Sequence, residues 1–286
     1  MYDIIIRDAT IISSTGRLVA DIAIEDGRIA DVGGPVRGAG RKEIQGIGLF
    51  VMPGVIDSQV RMGVPGDGMG YDWARQSRAA LAAGVTAVVD TAPAGTGFSS
   101  ADAVRAVLDD ARAASVVDYG LWMPAGHGNL ALVRTVISDG LALAPYLRMD
   151  HEDGDLEGSL DALEALLKAG LGTVGVHAED PDVLARAARK HGGPDAAPHD
   201  LRPASAAAQA TEQLIQAARD AGGAAHLCSL STAAELNLLD AVHGEVSLSS
   251  SVSPQHLFLS IETWKKGHPV VTDPPVRGEL DRRGLW

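Results

Sequence analysis

The sequence lacks several features that particular classes of protein require. Its single cysteine, Cys228, excludes an internal disulfide and is typical of a reducing compartment. No apolar run approaches the roughly 18 residues that span a bilayer, and the N-terminus has no signal-peptide pattern. Acidic residues outnumber basic ones by 37 to 24, and a net charge of -13 argues against a surface for nucleic acid or anionic lipid. We therefore expect a soluble, cytoplasmic protein without a nucleic-acid or membrane partner.

Histidine and lysine are also missing from long stretches. The first of the nine histidines is His127, and no lysine lies between Lys42 and Lys168. Metal centres that activate water are built from neutral imidazoles and anionic oxygens. A centre that needs histidine from the first third of the chain is therefore excluded.

The chain changes character near residue 49. Residues 2–34 predict short strands, with a hairpin at Asp26-Gly27, and residues 35–48 indicate a connector rich in Gly, Arg and Pro. Beyond it, seven apolar strand candidates, from Leu49–Asp57 to Glu245–Ser250, mostly alternate with helical stretches. This alternation predicts a parallel sheet covered by helices, and periodicity alone does not choose between a doubly wound sheet and a barrel. We divide the chain into 1–48 and 49–286.

Four segments together resemble the dihydroorotase branch of the amidohydrolase superfamily, which includes hydantoinases and allantoinases. They are Met52-Pro-Gly-Val-Ile-Asp57, Val176-His-Ala-Glu-Asp180, Leu230-Ser-Thr232, and Val252-Ser-Pro-Gln-His-Leu257 with Asp273-Pro-Pro-Val-Arg277. The resemblance implies a (β/α)8-type barrel with a small β-sandwich portion at the N-terminus. Strand eight would be missing, because the sequence stops at Trp286. The resemblance also implies a two-metal zinc site that opens a cyclic amide by hydrolysis of its C–N bond.

Most of the metal ligands that the resemblance implies are replaced. The family's His-x-His pair falls on Gln59 and Arg61, and a guanidinium stays protonated and cannot ligate a metal. The bridging lysine of strand four has no counterpart in Leu141–Arg148, and the strand-six ligand falls on Ser229. Of the implied ligands His177 remains, so we expect no metal cofactor.

The substrate-holding positions change as well. The family's arginine and asparagine fall on Gly63 and Ala94, which offer no comparable side-chain donors. The residues that we expect in the degenerate pocket are Asp57, Gln59, Arg61, His177, Ser229, His256 and Arg277.

Several of these residues have two interpretations. His177 is either hydrogen-bonded to Asp57 or Glu179, or a ligand of one weakly held metal. Arg61 forms an ion pair with Asp57 or the carboxylates after His177, or it binds an anionic ligand. Glu179 either acts as an acid or base or lies at a helix N-terminus, where carboxylates are favourable.

Two further features have simpler interpretations. The acidic run from Asp150 to Asp155 lacks the register of a calcium loop and is interpreted as a solvated loop. Cys228 is interpreted as a buried structural thiol, because side chains alternate along a strand and Ser229 takes the inward position.

Our favoured interpretation is a dihydroorotase-like chain that has lost hydrolysis and serves as a structural or regulatory partner. It would form a homo- or hetero-oligomer, and the resemblance implies aspartate transcarbamoylase of pyrimidine biosynthesis as a partner. One alternative is a metal-independent enzyme that uses Arg61, His177 and Ser229 on a small acid or amide. A second alternative is a metal-dependent cyclic amidohydrolase.

Overall fold

The structure is a computed structural model that describes residues 1–62, 72–91, 98–126, 128–150, 156–193, 196–262 and 272–286. The chain divides into two units. The first comprises Met1–Ile56 with Gly84–Thr86, and the second comprises Asp57–Ala83 with Ala87–Trp286. The boundary between residues 48 and 49 that we drew from composition remains a prediction.

The first unit is built on a five-stranded sheet. Its strands are β1 (Tyr2–Ser13), β2 (Gly16–Glu25), β3 (Arg28–Gly33), β4 (Gly40–Gln45) and β5 (Phe50–Val51). Their order is β3-β2-β1-β4, and β5 also pairs with β1. The hairpin predicted between β2 and β3 is confirmed: Asp26 and Gly27 have φ values of 50° and 71°, as its turn type requires.

A buried carboxylate stabilises a bulge in β1. Asp8 has a φ of 53°, and its backbone N–H donates to Asp21 Oδ1 over 2.9 Å. Asp21 Oδ2 accepts from Arg7 Nη1 at 2.9 Å and from the backbone N–H of Val36 at 3.0 Å. The hydrogen bond from Asp8, followed by that from Arg7, lowers the pKa of Asp21.

The sheet that the alternating pattern predicts belongs to the second unit, except for the first two residues of β6 and of β7, which fall in the first unit. Its strands are β6 (Val55–Val60), β7 (Val85–Asp90), β8 (Asp118–Pro124), β9 (Ala144–Arg148), β10 (Val174–His177), β11 (Ala224–Leu227) and β12 (Ser247–Ser250). They lie side by side in chain order, and the registers from β7 to β12 are parallel. A doubly wound sheet reverses its strand order at a switch point, whereas a barrel does not. The predicted barrel type with seven strands is therefore confirmed, and in the described residues the order ends at β6 and at β12.

Helices follow most of these strands. They are α1 (Trp73–Ala82), α2 (Ala101–Ala114), α3 (Leu130–Ser138), α4 (Leu156–Ala169), α5 (Pro181–His191), α6 (Pro198–Leu201), α7 (Ala204–Ala221), α8 (Ala233–Ala241), α9 (Pro254–Phe258) and α10 (Glu279–Gly284). Local sequence sets their starts: the side chains of Ser100, Asp180 and Thr232 accept from the first turns of α2, α5 and α8. None of the described helices has the length and apolarity to cross a membrane.

Close packing on one face of the sheet depends on a glycine in β10. A Cβ atom on Gly175 would lie 3.0 Å from Trp122 Cζ3 and 3.1 Å from Tyr146 Cδ2. Two residue pairs further along, the register places His177 beside Arg148. The ends of β9 and β10 therefore bring charged side chains together at the edge where parallel barrels carry their sites.

Candidate functional site

Four side chains with metal-binding groups meet where β9 and β10 end. Asp150 follows β9, His177 is the last residue of β10, Glu179 lies two residues later, and Asp273 comes from the segment before α10. One ligand atom from each of the four lies within 4.8 Å of the others. We call these four residues the acidic cluster.

Most of the acidic cluster is buried. His177 Nε2 lies 3.0 Å from Glu179 Oε2, 3.7 Å from Asp150 Oδ2 and 3.6 Å from Asp273 Oδ1. The side chains of His177, Glu179 and Asp150 are at most 3% exposed, whereas that of Asp273 is 33% exposed. The acidic cluster is therefore reached from solvent on the Asp273 side.

Two arginines neutralise the acidic cluster from its outer side. Arg148 Nη2 lies 2.7 Å from Asp150 Oδ2 and 2.9 Å from Asp273 Oδ2, and Arg61 Nη2 lies 3.2 Å from that same oxygen of Asp273. Burial alone would raise the pKa of Asp150 and of Asp273. The neighbouring His177 and Arg148 outweigh burial and lower both pKa values.

A third arginine occupies the centre of the acidic cluster. Arg202 Nη2 donates to Asp150 Oδ2 and Glu179 Oε2, and it lies 3.2 Å from Asp273 Oδ1 and 3.3 Å from His177 Nε2. One nitrogen atom thus contacts all four ligand atoms. Arg202 lies between α6 and α7, and its side chain is 27% exposed.

Arg277 supports the acidic cluster from the buried side. Its Nη1 donates to the carbonyl of Arg202, and its Nε donates to Ser231 Oγ at 3.2 Å. Its Nη2 lies 3.6 Å from Glu179 Oε1. That Glu179 oxygen is buried and accepts no hydrogen bond from the described residues, so it retains acceptor capacity.

His256 anchors the segment that carries Asp273. Its Nδ1 lies 2.7 Å from Ser253 Oγ, and its Nε2 lies 3.1 Å from the carbonyl oxygen of Pro274. Burial lowers the pKa of His256, which favours the neutral ring. His256 is therefore a positioning residue rather than a member of the acidic cluster.

The remaining predicted site residues form a separate polar group. Ser229 Oγ donates to Gln59 Oε1 at 2.8 Å, and Gln59 Nε2 lies 3.5 Å from the hydroxyl of Tyr146. Asp57 is exposed and accepts from the backbone N–H of Gln59 at 3.2 Å. Cys228 is buried, as predicted, and burial raises the pKa of its thiol to about 12.

His177 is hydrogen-bonded to Glu179, one of the two partners that we expected for it. Other sequence-based interpretations need correction. Arg61 pairs with Asp273 and not with Asp57 or the carboxylates after His177. Asp150 is not solvated, since its side chain is 3% exposed, while residues 151–155 lie outside the described part of the chain. Gly63 and Ala94 also lie outside it.

The expectation that the chain has no metal cofactor is wrong. One imidazole nitrogen and three carboxylate oxygens form a donor set that suits a divalent ion. The other oxygen of Glu179 accepts no hydrogen bond from the described residues and faces Arg277 at 3.6 Å, so Glu179 Oε2 is the atom that it offers to an ion. The set fits one ion rather than the family's pair, because Gln59, Arg61 and Ser229 stand at the other ligand positions.

Sequence reasoning missed Arg148, Arg202 and Asp273 as site residues, and it assigned Asp150 to a solvated loop. One signal was available: Asp273 opens the quoted segment Asp273-Pro-Pro-Val-Arg277. For the arginines, no pattern in the sequence indicated a common site.

Curated relatives cover nearly all of this chain. An allantoinase of Rubrobacter xylanophilus is 29% identical over 302 residues, and a dihydroorotase of Halobacterium salinarum is 30% identical over 293 residues. These alignments cover 100% and 99% of this chain and 65% of each relative. The chain thus spans 65% of the length of these relatives. No family model matches it.

Solved structures of hydantoinases share the fold. A D-hydantoinase from Bacillus sp. AR9 superimposes with a TM-score of 0.88 at 26% identity, over 99% of this chain and 65% of that one. An L-hydantoinase from Arthrobacter aurescens gives a TM-score of 0.87 at 22% identity, over 100% and 66% of the two chains. The second likeness concerns the fold alone.

Proposed function

Since the chain belongs to the dihydroorotase, hydantoinase and allantoinase branch of the amidohydrolase superfamily, we propose that it is a metal-dependent hydrolase of a cyclic amide. The acidic cluster is the observation that carries this proposal. The metal-dependent alternative is thereby preferred to the interpretation as an inactive partner. Because the chain spans 65% of its relatives, its activity and substrate are proposals.

The acidic cluster would hold a single ion. Asp150, His177 and Glu179 are fixed by burial and by the ends of β9 and β10, while Asp273 is the more accessible ligand. Imidazole suits Zn²⁺ and carboxylates suit Mn²⁺, so these two ions are the first candidates. A bound divalent ion supplies Lewis acidity, which polarises an amide carbonyl and activates water.

The surrounding residues would orient the ring. Burial raises the pKa of Tyr146, so its hydroxyl stays protonated and is a hydrogen-bond donor at any working pH. Gln59 and Ser229 hold each other near that hydroxyl and present further polar atoms. The replacements at Gly63 and Ala94 remove two donors, so we expect uncharged rings to bind better than dihydroorotate, with dihydroorotate no tighter than millimolar.

The test compares two histidine variants with the wild type. Purified protein is loaded with Zn²⁺ or Mn²⁺, freed of excess ion and supplied with hydantoin, dihydrouracil, allantoin and dihydroorotate. We expect one bound ion per chain and ring opening that depends on it. His177→Asn should lose both, whereas His226→Asn, which changes a histidine outside the acidic cluster, should keep both.

Each other outcome has a defined meaning. Equal metal content in the two variants, or no ring opening above the protein-free rate, contradicts the proposal. Ring opening that persists after chelation favours the metal-independent alternative, in which Arg61, His177 and Ser229 act without an ion.

A partner role is the second candidate, because hydrophobic strand residues are exposed. Val55 and Ile56 of β6 are 51% and 67% exposed, and a groove along β12 is lined by Val246 and Leu248. Such surfaces are usually covered in solution. Co-purification of a carbamoyltransferase in stoichiometric amount from the native host would support this role.

A further inference from the structure

Arg202 lies where an ion of the proposed metal site would bind, and the role argued for it rests on that site. A divalent ion binds nitrogen and oxygen ligands at about 2.0–2.2 Å, so it must lie between the four ligand atoms of the acidic cluster. Arg202 Nη2 already lies between them, in contact with one atom of each group. The guanidinium and an ion therefore exclude each other.

We propose that Arg202 is a built-in competitor for the cation position. When no ion is bound, its guanidinium holds the four groups of the acidic cluster together. When an ion enters, the side chain turns outward and the ligand atoms are released to the ion. The apparent affinity for metal is then set by how often Arg202 leaves.

The geometry allows the side chain to move while the backbone stays. The backbone N–H of Arg202 donates to the carbonyl of Pro198 at 3.0 Å, and its own carbonyl accepts from Arg277. Its side chain is 27% exposed, whereas the carboxylates of Asp150 and Glu179 are at most 3% exposed. The guanidinium therefore reaches solvent more readily than the carboxylates that it contacts, and it can leave without their moving.

Arg148 contacts only two groups of the acidic cluster, whereas Arg202 contacts all four. It also carries one positive charge and contacts Asp150 and Asp273, but its second contact is to Asp273 Oδ2, away from the oxygen that faces His177. Hydrogen bonds or ion pairs from Arg148 to His177 or Glu179 are absent from the described contacts. Arg148 therefore keeps its place when an ion binds, and it is the matched control for a change of charge.

The experiment measures Zn²⁺ affinity by calorimetry for the wild type, Arg202→Gln and Arg148→Gln. If the open state is populated at about 0.1–10%, removal of the competitor should tighten binding by roughly 10- to 1000-fold. Arg148→Gln removes the same charge and should change affinity much less. Circular dichroism and tryptophan fluorescence establish that both variants are folded.

A second measurement does not depend on variants. A crystal structure of the wild-type protein with Zn²⁺ should show the guanidinium of Arg202 out of contact with Asp150 and Glu179. An ion bound with that contact intact overturns the inference, as does an equal gain of affinity in both variants. If Zn²⁺ binds as described but no ring opens, the proposed hydrolase falls and the competitor stands. If no protein binds Zn²⁺, both fall.

Discussion

Asp180 is the residue on which the geometry after β10 depends most. It is fully buried, and its Oδ1 accepts from the backbone N–H of Val183, which caps α5. Its Oδ2 accepts from Gln209 Nε2 at 2.7 Å and from Gln213 Nε2 at 3.0 Å, both on α7. One carboxylate therefore ties the end of β10 to two helices, directly beside Glu179.

These contacts determine how far Asp180→Ala lowers the free energy of unfolding. Loss of the N-cap lowers it by about 1 kcal/mol. A hydrogen bond to a charged group contributes about 1.5–3 kcal/mol, and we count only that of Gln213, because Gln209 is exposed and its amide can return to water. The total is about 3 kcal/mol. Asp180→Asn keeps an acceptor for the cap, so we expect roughly half of that loss.

Urea denaturation followed by tryptophan fluorescence measures this change. The three tryptophans among the described residues, Trp73, Trp122 and Trp286, lie within the second unit, so the signal reports on the unit that contains Asp180. With a slope of about 3 kcal/mol per molar urea, Asp180→Ala should lower the midpoint by about 1 M. Asp182→Ala, on the exposed side of the same helical turn, should change stability by less than about 0.5 kcal/mol. Equal midpoints for the two alanine variants would refute the reasoning.

The lowered pKa of Asp21 makes its stabilising contribution complete above the unfolded value of about 4, and that contribution is lost as pH falls through the folded pKa. In Asp21→Asn, the protection of β2 amides from hydrogen exchange should therefore fall less as pH is lowered than it does in the wild type. The same pH dependence in both proteins would contradict this. Gly175→Ala should lower the free energy of unfolding by about 1–3 kcal/mol through overpacking against Trp122, which is measured as a lowered melting temperature. A Cβ at Gly126 meets no atom within 4 Å, so Gly126→Ala should leave the melting temperature unchanged. We also propose that the chain assembles through β6 and β12: light scattering should give a mass above 29.6 kDa, and Leu248→Lys should reduce it.

Strand positions could be predicted because short apolar runs are bounded by turns and helices. Two strand predictions were wrong. Residues 35–48, predicted as a connector, contain β4 (Gly40–Gln45), which pairs with β1. The predicted strand Leu49–Asp57 is in fact two: Phe50–Val51 pairs with β1, and Val55–Val60 begins the parallel sheet. The break falls at Pro53-Gly54, and a Cβ on Gly54 would lie 2.0 Å from Thr86 Oγ1. An apolar run does not reveal that its two ends belong to different sheets, because each half is equally hydrophobic.

The barrel type could not be read from periodicity, since it is a property of strand order. It came from the quoted motifs, and the sequential order from β6 to β12 agrees with it. The acidic cluster was beyond both kinds of reasoning. Asp150 and Asp273 are distant in sequence, and their approach depends on where the segment held by His256 lies in space. The replaced family ligands, together with the interpretation of Asp150 as part of a solvated loop, led to the wrong conclusion that the chain has no metal cofactor.

In a chain that lacks most of the family's metal ligands, arginines supply positive charge beside the carboxylates of the acidic cluster. Three carboxylates this close would raise one another's pKa values, so positive charge must lie beside them. Arg61, Arg148 and Arg277 provide it from positions that leave the centre free, and their three charges match the three carboxylates. Arg202 is then surplus to the charge balance and is the one group whose place an ion would take. With Arg202 displaced, the charge of a bound ion would not be cancelled by its surroundings, and an uncancelled positive charge is what stabilises hydroxide or a developing oxyanion.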